Sequence, residues 1–314
     1  MRKLPLIALG CWIILLGASC TSPTASVAKW AGPEVAGAIT EQAINEASGL
    51  AASRISDNVF WVNNDHGGQP VLYAIDRTGA YLGSVRIEGA TNYDWEDCTS
   101  VKIDGTSYLI AADVGDNFAQ RAECVLYVIA EPDPATLNPA HELSAPIAWQ
   151  IHYKYAGGAR DCENVAVDEA EQIIYLLSKR TTPPEIYRLP LGSPGHDATV
   201  VVERIGQLNG IPQPTGPSAL IEAPWGKYRA MPCSFEIASD QRTAVVLTYG
   251  EVYLYTRQAN QTWVEALAGQ PLQLSAHNLP QAEGVCFADD NRSVLVATEG
   301  VGEPLLRYSR TIQP

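Results

Sequence analysis

Residues 163–180 read ENVAVDEAEQIIYLLSKR: an acid, a short apolar strand, a polar turn, then a second strand of β-branched and aromatic residues. The same phrase recurs at 46–65 (EASGLAASRISDNVFWVNND), 96–113 (EDCTSVKIDGTSYLIAAD), 233–250 (CSFEIASDQRTAVVLTYG) and 283–300 (EGVCFADDNRSVLVATEG). Its leading positions are Glu46, Glu96, Glu163, Cys233 and Glu283, spaced by 50, 67, 70 and 50 residues. Self-similarity at such a period marks a repeat architecture in which each unit buries its faces against its neighbours.

A third apolar alternation follows each copy: PVLYAIDR, CVLYVIAEP, EIYRLPLG, EVYLYTRQ and PLLRYSR. Fourth strands are expected in YLGSVRIEG, APIAWQIHYKY, TVVVERIGQL and WVEALAGQPLQL, and the last unit lacks one because the chain ends at Pro314. Four-stranded units repeating in this way predict an all-β fold, a single β-propeller of five blades. Residues 34–40, EVAGAIT, are placed to close the ring by supplying the missing strand. The alternative is six blades, with an irregular one in LNGIPQPTGPSALIEAPWGKYRAMP. The density of Pro and Gly there reads instead as a long loop.

The N-terminus, MRKLPLIALGCWIILLGASC, has two basic residues, an apolar run and small residues before Cys20, the layout of a secretory signal peptide. GASC resembles the bacterial lipoprotein signal, with Gly17 where that pattern usually has Leu. The expected organisation is a leader over 1–20 with Cys20 lipidated, a polar tether over 21–33, and the propeller over 34–314. This implies an exported protein of the cell envelope, a periplasmic or outer-membrane lipoprotein or a secreted chain. The alternatives at Cys20 are plain cleavage and an uncleaved anchor.

The formal net charge is −14, and losing Arg2 and Lys3 with the leader leaves 19 basic against 35 acidic residues, or −16. Such a balance argues against nucleic acid and anionic lipid as partners and leaves cations and neutral or basic ligands. The body holds five cysteines, Cys98, Cys124, Cys162, Cys233 and Cys286, none in a CxxC. Zinc-ribbon and thioredoxin readings therefore have no support. The chain also lacks a G-x-S-x-G, an H-E-x-x-H and a phosphate loop.

In a propeller the first strand of every blade lines the central channel and begins on one face. The leading acids should therefore ring one mouth, surrounded by the residues that end the second strands. These are Asn63, Asn64, Asp65 and His66; Asp113, Asp116 and Asn117; Lys179 and Arg180; Tyr249; and Glu299. DWEDC adds Asp94 and Asp97 beside Glu96, and DCE adds Asp161 beside Glu163. Clustered carboxylates repel and have raised pKa values unless something positive offsets them. A hard cation such as Ca²⁺, held by Glu46, Glu96, Glu163 and Glu283, fits an oxygen-rich set better than zinc does. Two other readings stand beside it: salt bridges to Lys179 and Arg180 with no metal, and glutamates that only fix one blade to the next. Trp95 is placed either to stack on a ligand or to pack between blades.

EASGLAAS, VFWVNNDHGGQPVLYAIDRTG, DWEDC, DVGDN before LYVIAEP, and DCENVAVD before IIYLLSKR together resemble a group of uncharacterised, exported bacterial β-propeller proteins. Those carry an ESSGL, HNDSGG, DWED, DIGDN, DAEA series in the same order. The likeness runs from about Glu46 to Leu191 and is more distantly similar to phytase-like and gluconolactonase-like propellers. The fourth unit departs from the pattern, with MPCSFEIASD in place of a TGAD-type start and LTYG where Arg-Thr-Tyr is usual. The resemblance implies a propeller fold and export. Its gluconolactonase-like branch implies a divalent cation on Glu, Asn and Asp at the channel mouth.

Two functions are expected from these residues. The first is a ligand- or partner-binding module with a cation-binding acidic mouth. The second is a metal-dependent hydrolase of an ester, lactone or phosphoester, with Glu96 or Glu163 as ligand or base beside Asp65, Asp116 and Asn117.

Overall fold

The computed structural model describes residues 29–192, 195, 198–221, 226–288 and 290–311. The expected leader, the lipidation position Cys20 and residues 21–28 of the tether lie outside the described residues. β1 (Lys29–Ala38) comes first. β2 (Ala47–Ala52), β3 (Phe60–Asn64), β4 (Val71–Ile75) and β5 (Tyr81–Glu88) form one antiparallel unit, and β6 (Trp95–Ile103), β7 (Thr106–Asp113), β8 (Cys124–Ala130) and β9 (Glu142–Tyr155) the next. The third unit contains β10 (Cys162–Asp168), β11 (Ile173–Ser178) and β12 (Glu185–Pro190), followed by β13 (Val200–Val202) and β14 (Arg204–Gln207). The fourth has β15 (Pro232–Ile237), β16 (Thr243–Thr248), β17 (Val252–Thr256), a short helix α1 (Trp263–Leu267) and β18 (Leu272–Gln273). β19 (Ala282–Ala288), β20 (Ser293–Thr298) and β21 (Pro304–Thr311) complete the chain.

Strand order makes the arrangement propeller-like. β15-β16-β17-β18 and β10-β11-β12-β14 are four-stranded sheets, and β19-β20-β21 gains its fourth strand from β1 at the other end of the chain. β1 runs antiparallel to β21, with Lys29 opposite Thr311 and Ala38 opposite Pro304. Sheet pairing thus begins at Lys29, earlier than the expected 34. The first two units are laced together by β9, whose residues 142–146 lie parallel to β5 while residues 147–153 pair with β8.

Five apolar layers lie between successive sheets. Trp61, Leu72 and Val85 of the first unit meet Trp95, Leu109 and Ile129 of the second, and the layers continue around to Cys286, Leu295 and Ala297, which meet Leu50, Phe60 and Val62. Each first strand packs on the next, β2 on β6, β6 on β10, β10 on β15, β15 on β19, and β19 returns to β2. Alternation along every strand supplies both faces of these layers, as a sheet buried on two sides requires.

Two expected fourth strands take other forms. TVVVERIGQL divides: β13 runs parallel to β9 of the preceding unit, and only β14 pairs with β12. WVEAL is helical, because Thr262 and Glu265 close a reciprocal capping box, and the fourth strand shrinks to Leu272–Gln273. Among the described residues of the Pro- and Gly-rich segment there is no strand between Gln207 and Pro232, only two 3-10 turns at Gly216–Leu220 and Gly226–Tyr228. All five body cysteines are buried free thiols.

Candidate functional site

Each first strand opens with a β-bulge. Pairing skips one residue between Ala47 and Gly49, Trp95 and Asp97, Cys162 and Asn164, Pro232 and Ser234, and Ala282 and Gly284. A bulge leaves its extra residue out of the ladder and re-aims its side chain. The skipped residues are Ser48, Glu96, Glu163, Cys233 and Glu283, so four of the expected leading positions are equivalent and the fifth is Ser48, not Glu46. Glu46 lies two residues earlier, where its carbonyl accepts the Asp65 N–H at 3.0 Å, as Asp94 and Asp161 accept from Val114 and Lys179. Glu46 is therefore the counterpart of Asp94 and Asp161, and it is exposed.

Above the bulge residues stand those that follow each second strand: Asp65, Val114, Lys179, Tyr249 and Glu299. Carboxylate oxygens gather in three sets, Asp65 with Asp94 and Glu96, Glu96 with Asp161 and Glu163, and Asp65 with Glu283 and Glu299. Within a set the oxygens lie within 4.8 Å of one another. Shared members link the sets into one band around the mouth. Glu46 is in none of them, and Glu163 and Glu283 fall in different sets. A single cation on all four glutamates of the expected metal set is thus not what the register provides.

Gly115 of DVGDN makes the closest approach possible. A β-carbon there would lie 2.6 Å from the Asp94 carboxyl carbon, and nearer still to Glu96 Oε1. The remaining acids of the loops hold backbone. Asp113 accepts the N–H groups of Tyr93 and Asp94, each at 3.2 Å, and pairs with Arg121 at 2.7 Å. Asp116 accepts from Gln120 and Arg121 at 2.8 Å, and Asn64 accepts from Glu46 N–H while donating to Ala43 O. Asn117 takes a hydrogen bond from Arg180, which also pairs with Asp161.

Asp97 lies within the channel, not at the mouth. It accepts the Val165 N–H of the third unit at 2.9 Å and approaches Ser234 Oγ of the fourth at 3.5 Å. Ser48 Oγ donates to Glu96 O, Asn164 Nδ2 to Pro232 O, and Val285 N–H to Ser234 Oγ. These bonds tie β2 to β6, β6 to β10, β10 to β15 and β15 to β19. Trp95 is fully buried, donates Nε1 to Thr91 O at 2.9 Å and lies in the apolar layer with Trp61, Leu72 and Val85 of the first unit, so it joins blades rather than facing a ligand.

One buried cation serves the inner band. Lys179 Nζ donates to Glu163 and to Tyr249 OH, and Tyr249 OH donates to Glu283 at 2.7 Å. Burial opposes its charge, but Glu163, Tyr249 and Glu283 outweigh that and hold the ammonium well above its ordinary pKa. Lys179, together with Arg180 on Asp161, does not offset the band. Burial and then the charge of Glu283 push Asp65 up to about 6, burial and Glu283 push Glu299 up to about 9, and burial with Glu163 and Asp65 holds Glu96 well above the carboxylate range. Burial raises Asp94 also, against a hydrogen bond from the side chain of His66.

The outer rim over the first two units was not legible beforehand as a group. His66 Nδ1 lies 3.1 Å from Asp94 Oδ1, with the imidazole 70% exposed. Tyr93, also exposed, meets the His66 ring edge-on at 6.3 Å and carries the Arg121 guanidinium 4.8 Å from its centroid. The clue was present in DVGDN…R, where Asp113 anchors both Arg121 and the backbone of Tyr93.

No family model matches the chain, and no curated protein matches it. Solved structures do. The PQQ-bound aldose sugar dehydrogenase of Streptomyces coelicolor aligns over 91% of this chain and 100% of its own, at 12% identity and a TM-score of 0.47. XC5397 of Xanthomonas campestris, a gluconolactonase, aligns over 91% and 100%, at 12% identity and a TM-score of 0.42. At that level of similarity the two chains share little beyond a general likeness, and the sheet order above rests on this chain's own hydrogen bonds.

Proposed function

We propose that this chain is an exported five-bladed propeller, anchored to a membrane through Cys20, whose acidic mouth binds a hard divalent cation and presents it to a small ligand or partner. Three linked carboxylate sets carry this reading, served among the described residues by Lys179 on Glu163 and Arg180 on Asp161. A Ca²⁺ ion bound at about 2.3–2.6 Å from each oxygen fits among oxygens that lie within 4.8 Å of one another, as those of each set do. The Asp65–Asp94–Glu96 set is the favoured seat, because Lys179 occupies the side of Glu163 and Tyr249. The count of five blades is supported by the five apolar layers and by β1 completing the last sheet.

The test is thermal unfolding of the full chain in chelator and then in Ca²⁺. A ligand that binds only the folded state raises its stability, by about 2.7 kcal/mol at a hundred times Kd. An upward shift with Ca²⁺, absent in Asp94→Asn, is the expected result. An unchanged transition, with no metal in the purified protein, would sink the proposal.

One observation favours the hydrolase reading as a second possibility: the His66–Asp94 pair stands on the rim of the same set. A bound divalent cation would polarise an ester, lactone or phosphoester and acidify water. Asp94 would orient the imidazole, and His66 would accept a proton at Nε2. Turnover of such a substrate that disappears in His66→Gln while the Ca²⁺ shift persists would support it.

A further inference from the structure

At the end of the channel opposite the acidic band, where β2 and β19 finish, lies a cavity of about 250 Å³. Its apolar wall is Val59, Phe60 and Phe287, and Glu236 faces it from β15. One Glu236 oxygen accepts the Phe287 N–H. Among the described residues no basic side chain donates to this carboxyl. Arg54 lines the same cavity and its charge favours the ionised carboxyl, but its guanidinium pairs with Glu169 and its N–H bonds Glu131 at 3.0 Å. Lys102 lines the opening together with Asp57 and Asp290.

We propose that this cavity is a second ligand site, for a small organic amine whose ammonium pairs with Glu236 and whose apolar body lies on Val59, Phe60 and Phe287. A buried carboxyl with no cation hydrogen-bonded to it is costly in its charged form, and a ligand ammonium supplies a direct partner beside Val59, Phe60 and Phe287. A net charge of −14 enriches cations, not anions, around the molecule. The site is independent of the acidic mouth, so either can fail alone.

Benzylammonium and benzoate test this by their effect on thermal unfolding of the full chain in chelator. Benzylammonium is expected to raise the transition in a saturable way. Its apparent affinity should fall by about tenfold or more in Glu236→Gln, the loss of a charged hydrogen bond. It should also be lost in Ile55→Trp, which fills the cavity from a half-exposed rim position, and persist in Glu96→Gln at the other mouth. Should Glu236→Gln not fold, Ile55→Trp decides. Stabilisation by benzoate and not by benzylammonium would overturn the assignment, as would no shift with either or an amine shift that survives Ile55→Trp.

Discussion

At the scale of single residues, the mouth depends on Lys179 and Gly115. Removing one partner of a buried ion pair leaves an uncompensated charge, at a cost of about 3–5 kcal/mol. Lys179→Met should destabilise the protein by that order at neutral pH. The loss should shrink in acid, where Glu163 and Glu96 take up protons, and a denaturant series at two pH values checks both points. Gly115→Ala forces Asp94 and Glu96 apart. Overpacking of this kind costs about 1–3 kcal/mol, and the Ca²⁺ shift should fall with it; a variant with an intact Ca²⁺ response would exclude the Asp94–Glu96 seat. Glu46→Gln should change stability by less than about 0.5 kcal/mol, as exposed substitutions usually do. Placing Glu46 two residues out of register had a physical cause. An acid precedes the bulge at Glu46, Asp94 and Asp161, and acids occupy the bulge at Glu96 and Glu163, so matching acid to acid leaves two alignments. The extra residue of a bulge is set by ladder hydrogen bonds and carries no fixed residue type.

At the scale of elements, the short apolar runs of β2, β3, β6, β7, β10, β11 and their counterparts were plain because both faces of each strand are buried. Outer strands were harder to read, since packing constrains one face only. The TWVE of residues 262–265 already contained a capping signature, and the strand reading of WVEAL passed over it. β1 is the element on which ring closure depends. Without it β21 becomes an open edge, and the apolar layer between the fourth and last sheets loses Trp30. Deleting residues 29–38 should abolish the cooperative transition or lower it steeply, and a peptide of residues 27–40 supplied in trans should restore part of it by strand addition. Unchanged melting of the deletion would show that the last sheet stands on three strands.

For the whole molecule the carboxylate band makes stability depend on pH in a fixed direction. Carboxyls whose pKa is raised by folding bind more protons folded than unfolded, so their contribution is complete below the unfolded value and disappears as pH rises through the folded one. Asp65 moves from 3.8 to about 6 and Glu299 from 4.5 to about 9, with Glu96 raised in the same sense. In chelator the protein should therefore lose stability steadily from about pH 4.5 to about pH 9. These protons belong to the interacting band and not to any one carboxyl, so the decline should be broad. A divalent cation competes for the same oxygens and requires them unprotonated. Ca²⁺ should do little near pH 5 and most near pH 8, flattening the alkaline decline, with protons released into solution on binding. Melting across that range with and without Ca²⁺ separates this from the alternative in which Lys179 and inter-blade hydrogen bonds alone hold the mouth. In that case the two pH profiles would superimpose.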